Sequence, residues 1–331
     1  MAELSARKAI RYVAGITIAL ALLLPLAGLY LDTGGMLLGS YFRWEFSIPV
    51  DVERVSFPKD IVVSLMFVCE PSVDPVGMSE ILDVLASLAA KHVDSDGKNL
   101  QLAFACPWSN PDSTMLHVLT EYCRRGLGEV DFRQQASVLS DPGCYADMSF
   151  TGVRSSRPQS RVNTMFMVSP GDIEPYGVND ELRAGRLGKG SLLIIEGPFL
   201  IDWTDWRFTF RPYVEDGHLS PEALPDPGRV DSWVRANVHV IGQPNWIFVK
   251  LKIDGLNDAA SARSLRNSLD RSLMYLEEVY NDGEMYRLHY VTAREMYNVA
   301  MAAQALKNGN AGLFRDYLIE PYQATQREQA E

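Results

Sequence analysis

The sequence predicts an α/β domain, built on a parallel sheet or barrel and preceded by one membrane-spanning helix. Three observations carry this expectation. Past Asp60, short apolar runs alternate with amphipathic stretches of helical spacing, the pattern of βαβ units. Ahead of them, Tyr12 to Leu31 is a run of twenty consecutive uncharged residues, and a helix of that length covers the ~30 Å hydrocarbon core of a bilayer. The composition, 47% hydrophobic and 22% charged, is that of an ordinary globular chain and excludes a disordered or collagen-like one. Its 331 residues suffice for two average domains or for one large α/β domain with appendages.

Each element has its own signal. Ile61–Cys69 (IVVSLMFVC) reads as a strand buried on both faces, and Leu100–Cys106 (LQLAFAC) as a second. Between them Met78, Ile81, Leu82, Leu85, Leu88 and Ala89 recur at helical spacing. Ser113–Arg125 reads as a helix behind Pro111 and Asp112. Asn163–Val168, Leu192–Ile195, Trp246–Leu251 and Leu288–Val291 are further strands. Leu265, Leu269, Leu273 and Leu276 mark one face of a helix over 258–280, and Thr292 with Glu295 forms a capping box for a last helix. The stretch 217–228 (GHLSPEALPDPG) reads as a proline-rich loop. Trp203, Trp206, Phe208, Phe210 and Tyr213 alternate with polar residues like one half-buried strand, whose aromatics would pack on the core, stack on sugars or anchor a partner.

Arg7, Lys8 and Arg11 precede the long apolar run and Asp32 follows it, which leaves the amino terminus in the cytoplasm. The body then lies outside, in the periplasm of a bacterial inner membrane. The run exceeds the ~7–15 residues of a signal-peptide core and no A-x-A site follows, so an uncleaved anchor is expected. Met36, Leu37, Leu38, Tyr41, Phe42, Trp44 and Phe46 come next, either a headgroup belt or a segment packed on the domain. Three basic residues against one acid give the first 31 residues +2, leaving −13 of the total −11 on the rest. A body so acidic, without a basic stripe, is repelled by phosphate backbones, and no nucleic-acid partner is expected.

Cys69, Cys106, Cys123 and Cys144 are even in number, as two disulfides in an oxidising compartment require, and no C-x-x-C pair marks a zinc ribbon. Cys69 and Cys106 end consecutive strand patterns, which favours the pairing Cys69–Cys106 with Cys123–Cys144; buried free thiols are the alternative.

The carboxyl-terminal third carries a resemblance. GRVDSWVRANVHVIGQPNWIFVKLKIDG (228–255) and YRLHYVTAREMYNVAMAA (286–303) resemble the end of bacterial polysaccharide deacetylase-like proteins, whose text reads roughly WIFIKLHTHG and then HYVTAREMYN. Gly152–Pro158 is weakly similar to the family's arginine motif. The resemblance implies an irregular, partly open (β/α) barrel. It also implies a divalent metal held by an aspartate after the first strand and two histidines spaced H-x-x-x-H, the metal activating the water that removes an acetyl group. Those positions depart from the family here. The aspartates are replaced by Val68 and Cys69, followed by Glu70. The segment Arg125–Phe132 contains Asp131 but no histidine, and Lys252 and Asp254 stand where the later histidines would be. None of His92, His117, His218, His239 and His289 is paired at i, i+4. Metal sites need several ligands at once, so no catalytic residue, metal or cofactor is expected. Lys252 with Asp254 reads as an ion pair and His289 as a satisfied core histidine. Glu70 with Asp254 as an acid–base pair is the weaker reading.

The expected organisation is a cytoplasmic tip and transmembrane anchor (1–31), a membrane-proximal linker (32–58), a deacetylase-like (β/α) domain (59–310) and a carboxyl-terminal tail (311–331). Two functional classes follow. One is a catalytically inactive accessory subunit of an integral membrane complex, whether photosynthetic, respiratory or an export assembly. The other is an envelope protein that binds or deacetylates polysaccharide. A reporter fused after Glu331 should be active only outside the cytoplasm; a cytoplasmic carboxyl terminus, or a mature chain starting beyond residue 28, would contradict the anchor.

Overall fold

The structure, a computed structural model, describes residue 41 and residues 56–106, 113–131, 145–148, 162–168, 180–186, 192–207 and 211–321. The apolar run Tyr12–Leu31, most of the linker, Cys144, Gly152–Pro158 and residues 322–331 lie outside them. Among the described residues no helix is long and apolar enough to cross a membrane.

The chain begins with strand β1 (Lys59–Val68), helix α1 (Pro75–Ala89), β2 (Leu102–Ala105), α2 (Ser113–Arg124) and β3 (Gly128–Asp131). Then come β4 (Ala146–Asp147), β5 (Thr164–Val168), β6 (Asp180–Glu181), β7 (Leu192–Glu196), β8 (Leu200–Arg207), β9 (Arg211–Glu215) and β10 (His218–Leu219). The last part holds α3 (Pro227–Arg235), β11 (Trp246–Ile253), α4 (Ala259–Tyr280), β12 (Tyr286–Tyr290), α5 (Ala293–Gln304) and a 3-10 turn, Ala311–Phe314.

β1 is the spine of a six-stranded parallel sheet. β11 pairs along one edge of it, while β12 takes the first half of the other edge and β2 the second half. β10 and β3 extend the sheet outward. KDIVVSLMFV is apolar almost throughout because both faces are covered. Ile61, Val63, Leu65 and Phe67 meet α1, α2, α3 and α4, whereas Val62 and Met66 meet α5 and the strands of a second sheet. Helix starts obey local chemistry. Asp74 accepts from Gly77 N ahead of Pro75, and Thr292 and Glu295 close the expected capping box.

Several expectations are corrected. The second sheet, ordered β4-β7-β5-β6, is mixed: β5 runs antiparallel to both β6 and β7. Among the described residues no ladder joins it to the first sheet, and the architecture is mixed α/β. The aromatic stretch after Leu200 is not one strand but an antiparallel ribbon, β8 with β9. Its alternation continues through the reversal without a Gly, Asn or Pro turn signal, which hid the turn. Trp203 is 42% exposed rather than packed in the core. The proline-rich loop contains β10 and leads directly into α3, with Asp226 as cap and Pro227 in its first turn. The tail is not separate from 311 on, because Arg315 is buried in the domain. Of the aromatic stretch behind the anchor, Tyr41 packs on the domain, buried with Phe199, Leu200 and Ile201.

The amino ends of the central strands are tied by charge. His289 is buried, with Nε2 2.7 Å from Asp60 Oδ1 and Nδ1 2.9 Å from Asp96 Oδ2. Both partners are carboxylates, so both ring nitrogens donate and the ring is an imidazolium. Burial opposes this charge, but the two carboxylates outweigh it and raise its pKa above 6.5. The hydrogen bond from His289 in turn holds Asp96 well below the usual carboxylate range. Arg287 bonds the other oxygen of Asp60. The Arg315 guanidinium spans Asp94 at 2.6 Å and Asp96 at 3.0 Å. A methyl group at Gly312 would meet Asp96 Oδ2 at 1.9 Å, so only glycine lets the chain pass there.

Because the folded pKa of His289 is raised, its contribution is complete below about pH 6.5 and is lost as the pH climbs through the raised value. In denaturant unfolding of the full chain, stability should fall over that alkaline range. His289→Ala should cost about 3 kcal/mol at pH 6 and flatten this dependence. A wild type indifferent to pH there would contradict the assignment.

Candidate functional site

Open α/β sheets place chemistry at the carboxyl ends of their strands, and the charged groups there lie on the face turned toward the second sheet. β11, WIFVKLKI, sends Ile247, Val249, Leu251 and Ile253 into the helix-covered core. Trp246 and Phe248 pack on the opposite side, and Lys250 and Lys252 share their parity. Lys250 is buried, and its ammonium donates to the Ile195 carbonyl at 2.7 Å.

Lys252, Asp254 and His218 meet just beyond. β10 pairs with β11 so that His218 stands opposite Lys252. His218 Nε2 is 2.6 Å from Asp254 Oδ1, and Lys252 Nζ is 3.0 Å from Asp254 Oδ2. Both oxygens of Asp254 are thus engaged. Burial pushes the Asp254 pKa up, but the His218 hydrogen bond and the His218 and Lys252 charges prevail and lower it, keeping the carboxylate ionised. Glu70, at the end of β1, accepts from Gly255 N at 3.2 Å. Gly255 has φ +70°, the left-handed conformation that ends this strand.

A buried pair fixes the backbone of His218. Arg229 on α3 donates Nε to Glu215 Oε2 at 2.6 Å and Nη2 to Glu215 Oε1 at 3.0 Å. The same guanidinium reaches the His218 carbonyl at 2.7 Å. Asp216 accepts from His218 N, and its pKa is raised by burial and then by the neighbouring Glu215 charge.

The predicted positions do not converge. Val68 ends β1 on the side of the second core, half-buried, while Cys69 points into the helix-covered core and is fully buried. Asp131 ends β3 opposite Ala105. With strands ~4.8 Å apart, its backbone lies about 14 Å from β11, three strands away. The expected Lys252–Asp254 ion pair is present, and Glu70 accepts from the backbone N–H of Gly255, the residue after Asp254. His117 is exposed on α2. His218 was the residue hidden in the sequence, because a two-residue strand is too short to show a period.

One other group has metal-like spacing. The ligand atoms of Asp94, Asp96 and His289 lie within 4.8 Å of one another. The Arg315 guanidinium already bonds both aspartates, so a protein cation fills the place that an ion would take.

Cys69 and Cys106 are neighbours at the ends of β1 and β2, with sulfurs 3.5 Å apart, and both are unbridged thiols. The hydrogen bond between them, then burial, pushes the Cys69 thiol far up. Cys123 is also an unbridged thiol, and Cys144, its expected partner, lies outside the described residues. Cys123 packs on α2 against the same core as the other two, and burial raises its pKa to about 12. Diamide oxidation of the full chain should therefore link Cys69 to Cys106 and leave Cys123 alkylatable, as read by peptide mapping. A link from Cys106 to Cys123 would contradict this geometry.

No protein-family model, no curated protein and no solved structure matches the chain, and the reading of this site therefore rests on its own geometry.

Proposed function

We propose that this protein is a membrane-anchored, catalytically inactive accessory subunit. In this reading a domain related to the polysaccharide deacetylase barrels sits on the periplasmic side of a bacterial inner membrane. One observation carries it: where the resemblance places the later histidines, Lys252 brings its own ammonium to Asp254, and His218 occupies the other oxygen. A divalent ion there would have to displace a lysine from a half-buried carboxylate and would meet like charge. Four ligands around one cation have no counterpart among Val68, Asp131 and this trio.

A fold that keeps its packing and pairs its own strand-end charges is suited to contacts rather than turnover. Exposed Leu306, Leu313 and Leu318, the second 77% accessible, lie along the carboxyl-terminal segment and fit an interaction with an integral membrane complex.

The test is acetate release. The full chain in detergent, given acetylated glycans with zinc or cobalt, should release acetate no faster than buffer, with or without chelator. Release that the metal supports and the chelator abolishes would overturn the reading and return the protein to the carbohydrate-active envelope enzymes.

A further inference from the structure

We infer that Cys69 and Cys106 form a two-thiol site for a soft monovalent cation of the copper(I) class. The pair lies in the helix-covered core, on the sheet face opposite the one that carries Lys252. It is independent of the accessory-subunit reading.

The sheet itself builds the pair. β1 and β2 run parallel with Phe67 opposite Phe104, and those two rings meet edge to face at 6.1 Å. Two residues on, each strand places a cysteine on the same face. The ladder reaches that far, since Cys69 N donates to the Ala105 carbonyl at 2.9 Å. The sulfurs stand 3.5 Å apart, and both are unbridged thiols. A metal–thiolate bond is about 2.3 Å long, so two sulfurs on one ion are at most about 4.6 Å apart. The pair already lies inside that limit.

The surroundings select the ion. Both thiols are wholly inaccessible, in a core of aliphatic and aromatic side chains. Glu70, next along the chain, directs a carboxylate oxygen to Gly255 N. Among the described residues, only Asp94, Asp96 and His289 bring three ligand atoms of histidine, cysteine or carboxylate within 4.8 Å of one another. The two sulfurs therefore share no third such ligand at that range. Zinc needs four ligands and hard divalent ions need oxygen, whereas thiolate sulfur selects copper(I). Buried Met78 and Met115 belong to the same core and keep its lining soft. Cys123, half-buried on α2, packs on this core and is the thiol of the three that solvent reaches.

Binding releases acid and moves no electron. Two S–H bonds break, two Cu–S bonds form, and two protons leave to solvent. The hydrogen bond from Cys106, then burial, hold the Cys69 thiol protonated until the ion arrives.

The experiment titrates copper(I) into the full chain in detergent, reduced and free of oxygen, against bicinchoninate. One ion per chain should be held by wild type, Cys123→Ser and Cys144→Ser, and lost in Cys69→Ser and Cys106→Ser. Apparent affinity should rise about 100-fold per pH unit near neutrality, because two protons leave per ion. Copper-edge X-ray absorption of the wild type needs no variant to fold, and it should show sulfur neighbours without nitrogen or oxygen. No uptake by wild type would overturn the inference, as would uptake retained in Cys69→Ser or lost in Cys123→Ser. So would an affinity flat with pH, a nitrogen or oxygen shell, or displacement of the copper by equimolar zinc.

Discussion

Everything in this domain follows from β1 being buried on both faces and paired on both edges. Ile61, Val62, Val63, Leu65 and Phe67 are wholly inaccessible, so neither face of the central sheet is free to meet solvent. Two separate cores are therefore required. α1 to α4 supply one, and α5 with the second sheet supplies the other. A strand enclosed in this way leaves polar chemistry only its two ends. Asp60 at the entrance and Glu70 just past the exit are the acidic residues at its ends, and each is taken up by a partner across the sheet.

The two ends handle charge by the same rule. At the amino end, Asp60, Asp94 and Asp96 face His289, Arg287 and Arg315. At the carboxyl end, Asp254 faces His218 and Lys252, and Glu215 faces Arg229. Buried carboxylates without partners would cost several kcal/mol each, and in both places the chain provides the cations itself. A metalloenzyme built on a similar sheet would leave such carboxylates for an ion. Here the carboxyl-end carboxylates are already paired, and the non-catalytic reading grows from that pairing.

Much of this was legible in the residues. The apolar text of β1 and β11, the leucine stripe of α4 and the Thr292–Glu295 box all act locally, and each appears where its pattern places it. The Lys252–Asp254 pair was also legible, because residues two apart on a strand share a face. His218 was not. Its partner lies 36 residues away and depends on a two-residue ladder that shows no periodicity. The turn between β8 and β9 was hidden for the opposite reason, an alternation that ran on through it. Likewise Arg315 gave no signal in a segment that read as tail, since its role exists only once Asp94 and Asp96 are folded beneath it.

The central claim is that Lys252 and His218 take up both oxygens of Asp254 and leave no place there for an ion. Crystals of the protein grown in millimolar zinc, with diffraction recorded across the zinc edge, test it directly. The account predicts no anomalous peak between Asp254 and His218 and the Lys252 ammonium in contact with Asp254 Oδ2. A zinc peak bonded to Asp254 and His218, with Lys252 swung away, would contradict it.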